Sequence, residues 1–107
     1  QQEEMAKVVL KLRKRSTAEI IEFARDIVAD AATNIDFVYP QTSLYTLTAV
    51  ATLLEQSMLE AINQDQEKRA MVRQRRAELE RVIIELANYI NNELKKNNLL
   101  EVPSIFK

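Results

Sequence analysis

Apolar residues return every three or four positions through most of this chain, which is the helical period, and one stretch interrupts it sharply between Asn34 and Ser43. The first stripe is Ile20, Phe23, Ala24, Ile27, Val28 and Ala31, with Glu19, Glu22, Arg25, Asp26 and Asp30 largely outside it. Ser16-Thr17-Ala18-Glu19 just before it has the spacing of a capping box, so the pattern predicts a helix over 17–33 that ends where Asn34 tolerates a left-handed cap. The interruption then reads as a crossover. Pro40 forbids a continuous helix, Thr42 or Ser43 can cap the next one, and Phe37 and Tyr39 are too bulky for an idle linker. Phe37, Tyr39 and Pro40 are therefore expected to pack and to fix how two helices meet.

The second helix is predicted over 44–63, turning Leu44, Leu47, Val50, Ala51, Leu54, Met58, Ala61 and Ile62 inward. Its small residues Thr46, Thr48, Ala49 and Thr52 point to close approach on a flank. Asn63 to Gln66 is the weakest stretch, where a break and an uninterrupted helix are both compatible with the residues present. A third run over 66–96 places Val72, Leu79, Ile83, Leu86, Ile90 and Leu94 on one stripe, supported by Val82, Ala87 and Tyr89, with Lys95 and Lys96 at the negative end of the helix dipole. With no Gly in the chain, every predicted helix end falls at Asn. Three amphipathic stripes, each needing a partner, predict an all-α, three-helix up-down-up bundle over 16–98.

Two flanks lie outside that bundle. In the basic N-terminal arm, 1–15, Val8, Leu10 and Leu12 alternate with Lys7, Lys11 and Arg13, which fits an extended segment better than a helix. A lone strand in a helical chain has no internal partner, so such an arm would lie across the bundle or pair with another subunit. The C-terminal tail, 99–107, is apolar, and Pro103 prevents simple helix; it folds back or docks elsewhere. Val8, Leu10 and Leu12 of the arm and Leu99, Leu100, Ile105 and Phe106 of the tail are thus the candidate partner-binding residues.

Composition narrows the chemistry. A chain of 107 residues that is 47% hydrophobic is one small domain with a real core. Cysteine and histidine are both absent, which removes disulfides, thiolate chemistry, histidine-activated nucleophiles, imidazole acid–base catalysis and the commonest metal ligands. The missing glycine excludes a Gly-rich phosphate loop. The acidic row Glu19, Glu22, Asp26 and Asp30 reads as a solvated face, because metal sites built inside bundles want a Glu-x-x-His partner. No catalytic, cofactor or metal site is expected, and no small-molecule substrate is indicated.

Charge is nearly balanced at a formal −1, so any polyanion binding must come from local patches. Two exist: Lys7, Lys11, Arg13, Lys14 and Arg15 on the arm, and Lys68, Arg69, Arg73, Arg75 and Arg76 on the third helix. The second is interleaved with Glu67, Glu78 and Glu80, which suits ion pairs along the helix; nucleic-acid binding is the alternative. No apolar run reaches the ~20 residues that span a bilayer, and Gln1-Gln2-Glu3-Glu4 has the wrong charge for a secretory leader. The expected setting is a virion or the cytoplasm.

The run Asn34-Ile35-Asp36-Phe37-Val38-Tyr39-Pro40-Gln41-Thr42-Ser43-Leu44-Tyr45-Thr46-Leu47-Thr48-Ala49, followed by Leu54-Glu55 and by Leu86-Ala87-Asn88-Tyr89-Ile90, resembles a small helical domain of gut Bacteroidetes proteins and their phages. The resemblance covers roughly Lys7 to Ile90, and its most specific part is the aromatic, Pro, Ser and Leu segment. Similar proteins often carry this domain ahead of fibronectin-like or immunoglobulin-like modules, which implies a structural or adhesive role and no catalytic site. This chain departs from them at Gln64-Asp65, where relatives commonly have Gly, and in ending soon after the third helix. The expected function is a non-enzymatic structural or protein-interaction module, virion-associated, binding protein partners or itself. A nucleic-acid-associated protein and a small adaptor or regulator are the rivals.

Overall fold

The computed structural model describes residues 11–33, 38–63 and 66–96. They form an all-α, three-helix up-down-up bundle: α1 (Thr17–Thr33), α2 (Gln41–Glu60) and α3 (Gln66–Lys96). A 3-10 turn, Leu12–Lys14, precedes α1, and another, Ala61–Asn63, continues α2. Short connections make chain neighbours antiparallel, and α2 packs most extensively against α3, then against α1, with α1 and α3 touching least.

The core is what the stripes predict. Ile20 and Ile27 of α1, Leu47 and Leu54 of α2, and Leu79, Ile83, Leu86, Ile90 and Leu94 of α3 are the largest fully buried side chains. Each helix buries one stripe, and dispersal of those stripes into water on unfolding supplies the main stabilisation, about 1.5–3 kcal/mol for each large apolar side chain. Val28, Ala31, Met58 and Val72 close the margins of this cluster.

Helix α1 starts as its capping box demands: the Glu19 amide donates to Ser16 Oγ at 3.1 Å, and the Ser16 amide donates to Glu19 Oε1 at 2.8 Å. Donation from the Ser16 amide first, and from the Ser16 side chain second, holds the exposed Glu19 carboxyl below its ordinary range. Helix α2 begins three residues before the predicted Leu44. Pro40 is its N-cap, with extended backbone angles and a carbonyl that accepts from the Leu44 amide at 3.2 Å. Thr42 and Ser43 therefore lie inside the first turn instead of capping it.

The far end of α2 also differs. Its α-helical turns stop at Glu60 and the chain tightens into the 3-10 turn, where three residues per turn replace 3.6 and rotate Ile62 off the stripe. Ile62 is 70% exposed and is not a core residue. α2 and α3 are separate elements, and residues 64 and 65 between them lie outside the described residues.

The end of the predicted arm belongs to the bundle. Residues 12–14 wind into a turn, and Leu12 is buried in the core at 7% exposure. An apolar residue flanked by basic ones fits an alternating strand on paper, but here one 3-10 turn suffices to point Leu12 inward and its charged neighbours out. Val8 and Leu10 of the arm, Phe37 of the crossover, and Leu99, Leu100, Ile105 and Phe106 of the tail lie outside the described residues.

Candidate interaction surfaces

The crossover residue Tyr39 is buried, and its phenol donates a 2.9 Å hydrogen bond to Asp30 Oδ2. Burial first, and the carboxylate beside it second, push the phenol well above its ordinary value. Asp30 is thereby withdrawn from the acidic row of α1 and made a clamp between the last turns of α1 and the entry to α2. Pro40 is half-buried and caps α2. Among the described residues, no group of three or more acidic side chains is placed to hold a metal ion.

The basic set on α3 divides. Arg75 pairs with Glu78 at 3.4 Å, and both are half-buried. Arg76 is an anchor: Nη1 donates to Thr17 Oγ1 at 2.9 Å, Nη2 to the carbonyls of Arg15 at 2.7 Å and Leu12 at 3.2 Å, and Nε to Glu80 at 3.3 Å. A planar guanidinium can satisfy that fork, and a lysine ammonium could not. Lys68, Arg69 and Arg73 are exposed, with Lys68 beside Glu60, Glu67 and Met71 in a shallow hollow of about 190 Å³. The five cations thus do not act as one cluster, and the reason is the interleaved glutamates.

Arg76 was legible in the sequence only as one member of a basic patch; its anchoring role was not, because its partners include backbone carbonyls sixty-odd positions away. Arg15 adds to the same fastening, with its guanidinium 4.1 Å above the Phe23 ring. Leu12 is consequently not available to a partner; it is held within its own bundle. On the opposite flank Arg25 and Glu55 form a bidentate bridge of 2.9 and 3.0 Å between α1 and α2. That contact, chiefly its hydrogen bonds, lowers the Glu55 carboxyl and raises the Arg25 guanidinium. The bridge crosses a groove of about 380 Å³ whose apolar lining includes Ile21, Met58 and Leu59.

The surface most unlike the rest is the outer face of α2. Among its exposed positions only Glu55 and Glu60 carry charge, and Glu55 is committed to Arg25. Tyr45 is 73% exposed, Leu59 63% and Leu53 38%. Thr46 and Thr48 donate their hydroxyls to the carbonyls of Thr42 and Leu44, at 2.9 and 3.0 Å, so the face presents their methyl groups. Ser57, buried, does the same to Leu53 at 2.9 Å. The result is drier than its threonine content suggests. The small-residue flank was visible in the sequence; that it faces outward, with Tyr45 and Leu59 at its ends, was not.

No protein-family model, no curated protein and no solved structure matches this chain. The class is defined by the fold: an all-α three-helix bundle. Among its described residues no helix is long and apolar enough to cross a membrane.

Proposed function

We propose that this bundle is a non-enzymatic structural module, an assembly component of a virion, that associates with a second copy of itself through α2. The outer face of α2, whose exposed charges are limited to the bridged Glu55 and to Glu60 in its last turn, is the observation that supports this reading. Water-exposed helix faces ordinarily carry charge for solubility, and those of α1 and α3 do. A face that is neutral, part apolar and built from small residues is suited to another helix.

Its pattern favours a copy over an unrelated partner. Tyr45 and Leu59 each lie seven residues from Thr52, close to two helical turns, so the three share one stripe. Two antiparallel α2 helices related by a two-fold axis at Thr52 set Tyr45 of one against Leu59 of the other, with Ala49, Thr52 and Gln56 near the crossing. Bulky ends interlock while small middles let the backbones approach. The virion setting rests on the resemblance to phage-associated helical domains.

Sedimentation equilibrium of the full chain tests the association. The expected result is a dimer that dissociates on dilution, and a monomer at every concentration up to the millimolar range would overturn it. Mass spectrometry of purified particles from the source host tests the setting, with the chain present in particles if the reading holds and confined to cell lysate if it does not.

A further inference from the structure

The fold joins two basic segments that are far apart in the chain. Arg76 holds the carbonyls of Leu12 and Arg15, which lays the exposed cations Lys11, Arg13 and Lys14 beside α3. Glu80 and Ile84 of α3 form the opposite wall of a groove of about 530 Å³ along that segment. Positions 69, 73, 76, 80 and 84 recur at three and four, so they make one stripe, and the exposed Arg69 and Arg73 continue the groove wall past Arg76. With a rise of ~1.5 Å per residue, Arg69 lies about 10 Å along the axis from Arg76.

We infer that this groove and the stretch of α3 that continues it, with Lys11, Arg13 and Lys14 lining the groove and Arg69 and Arg73 farther along the same α3 stripe, form a binding site for the phosphodiester backbone of nucleic acid. Cations strung along one side of α3 over several turns fit a linear run of phosphates. The acids at hand are already engaged: Glu80 by Arg76, and Glu19 by the Ser16 cap. A membrane headgroup surface is the poorer fit, because anchoring there wants apolar residues to insert and, among the described residues, Ile84 is the one large apolar side chain of the groove exposed to solvent. Phe23, the ring nearest these cations, is buried beneath Arg15 and cannot stack on a base. Binding is therefore electrostatic and indifferent to base sequence. The site lies away from the outer face of α2 and does not rest on the proposed dimer.

Fluorescence anisotropy of a labelled 20-base-pair duplex with the full-length chain, titrated with salt, tests the inference. Five phosphate contacts predict a slope of log affinity against log salt of about −4.5, at about −0.9 per contact. The Lys11→Gln/Arg13→Gln/Lys14→Gln variant loses roughly 2.7 of that slope and Arg69→Gln/Arg73→Gln roughly 1.8, on the same scale. These side chains are exposed, so both variants keep the wild-type helical spectrum, and duplexes of different sequence bind alike. Absence of binding at low salt, a slope unchanged in either variant, or tighter binding to phosphatidylserine vesicles than to the duplex would each overturn it. Thr52→Glu, aimed at the dimer, leaves duplex binding intact, which keeps the two claims separable.

Discussion

The outer faces of α2 and α3 obey opposite rules. Along α3 the exposed positions carry Glu67, Lys68, Arg69, Arg73, Arg81 and Glu85, a surface that water keeps soluble. Along α2 the exposed positions carry Thr, Ala, Gln, Tyr and Leu, with two charges only: Glu55, tied into the Arg25 bridge at its edge, and Glu60 in its last turn. Both helices bury an apolar stripe on their inner side, so the contrast lies outside the core. It separates a face selected to remain in water from one that tolerates losing it.

The largest test of that separation sets two adjacent leucines of α2 against each other. Leu54 is fully buried, and Leu54→Ala should cost about 2–5 kcal/mol of unfolding free energy by lost burial and the cavity left behind. Leu53 looks outward, and Leu53→Ala should leave urea unfolding of the monomer within about 0.5 kcal/mol while weakening the dimer. If both lose the same stability, the outer face of α2 is part of a core and the contrast fails.

On α3 the corresponding contrast is between two arginines. Arg76→Met strands the Leu12 and Arg15 carbonyls and should destabilise by about 1–3 kcal/mol in urea. Arg81 is exposed and Arg81→Met should shift the midpoint within error. Equal midpoints for wild type and Arg76→Met would show that residues 12–15 are not fastened as described.

The smallest effect comes from the crossover. Tyr39→Phe removes one bond to a carboxylate, a loss of about 1.5 kcal/mol or somewhat more. The phenol's folded pKa lies above its ordinary value of 10.0, so its contribution is complete below pH 10 and is lost as pH rises through the folded value. Wild type should therefore lose stability on the alkaline side more steeply than Tyr39→Phe, measured by thermal melts from pH 8 to 11. Parallel alkaline limbs would remove the buried phenol from the account. Glu19 and Glu55 act in the other direction, being held below 4.5, so what they contribute is present above that pH and lost as acid protonates them.

Local signals in the sequence translated well. The Ser16–Glu19 box is complete within four residues, and the bonds it predicts are the ones formed. Core stripes were legible for the same reason, since a helix fixes which positions share a face once its period is known. Leu12 and Ile62 are misplaced where the helical period changes, since both lie in 3-10 turns that an α-helical or strand pattern misassigns, whereas Tyr89, expected to support the α3 stripe, lies within a regular helix and is 36% exposed. Interaction surfaces were least legible. The Arg76 fork depends on carbonyls, which no residue type advertises, and the dryness of α2 depends on threonine hydroxyls turning back onto their own helix.

The central claim is that α2 pairs with its copy about Thr52. Charge-swap mixing tests it most directly: sedimentation velocity on Thr52→Glu alone, Thr52→Lys alone, and the two mixed in equal amounts. Each variant alone places like charges against each other at the two-fold axis and should be monomeric, while the mixture should recover the dimer with one subunit of each kind. Dimers in either variant alone, or monomers in the mixture of a chain whose wild type dimerises, would contradict the pairing.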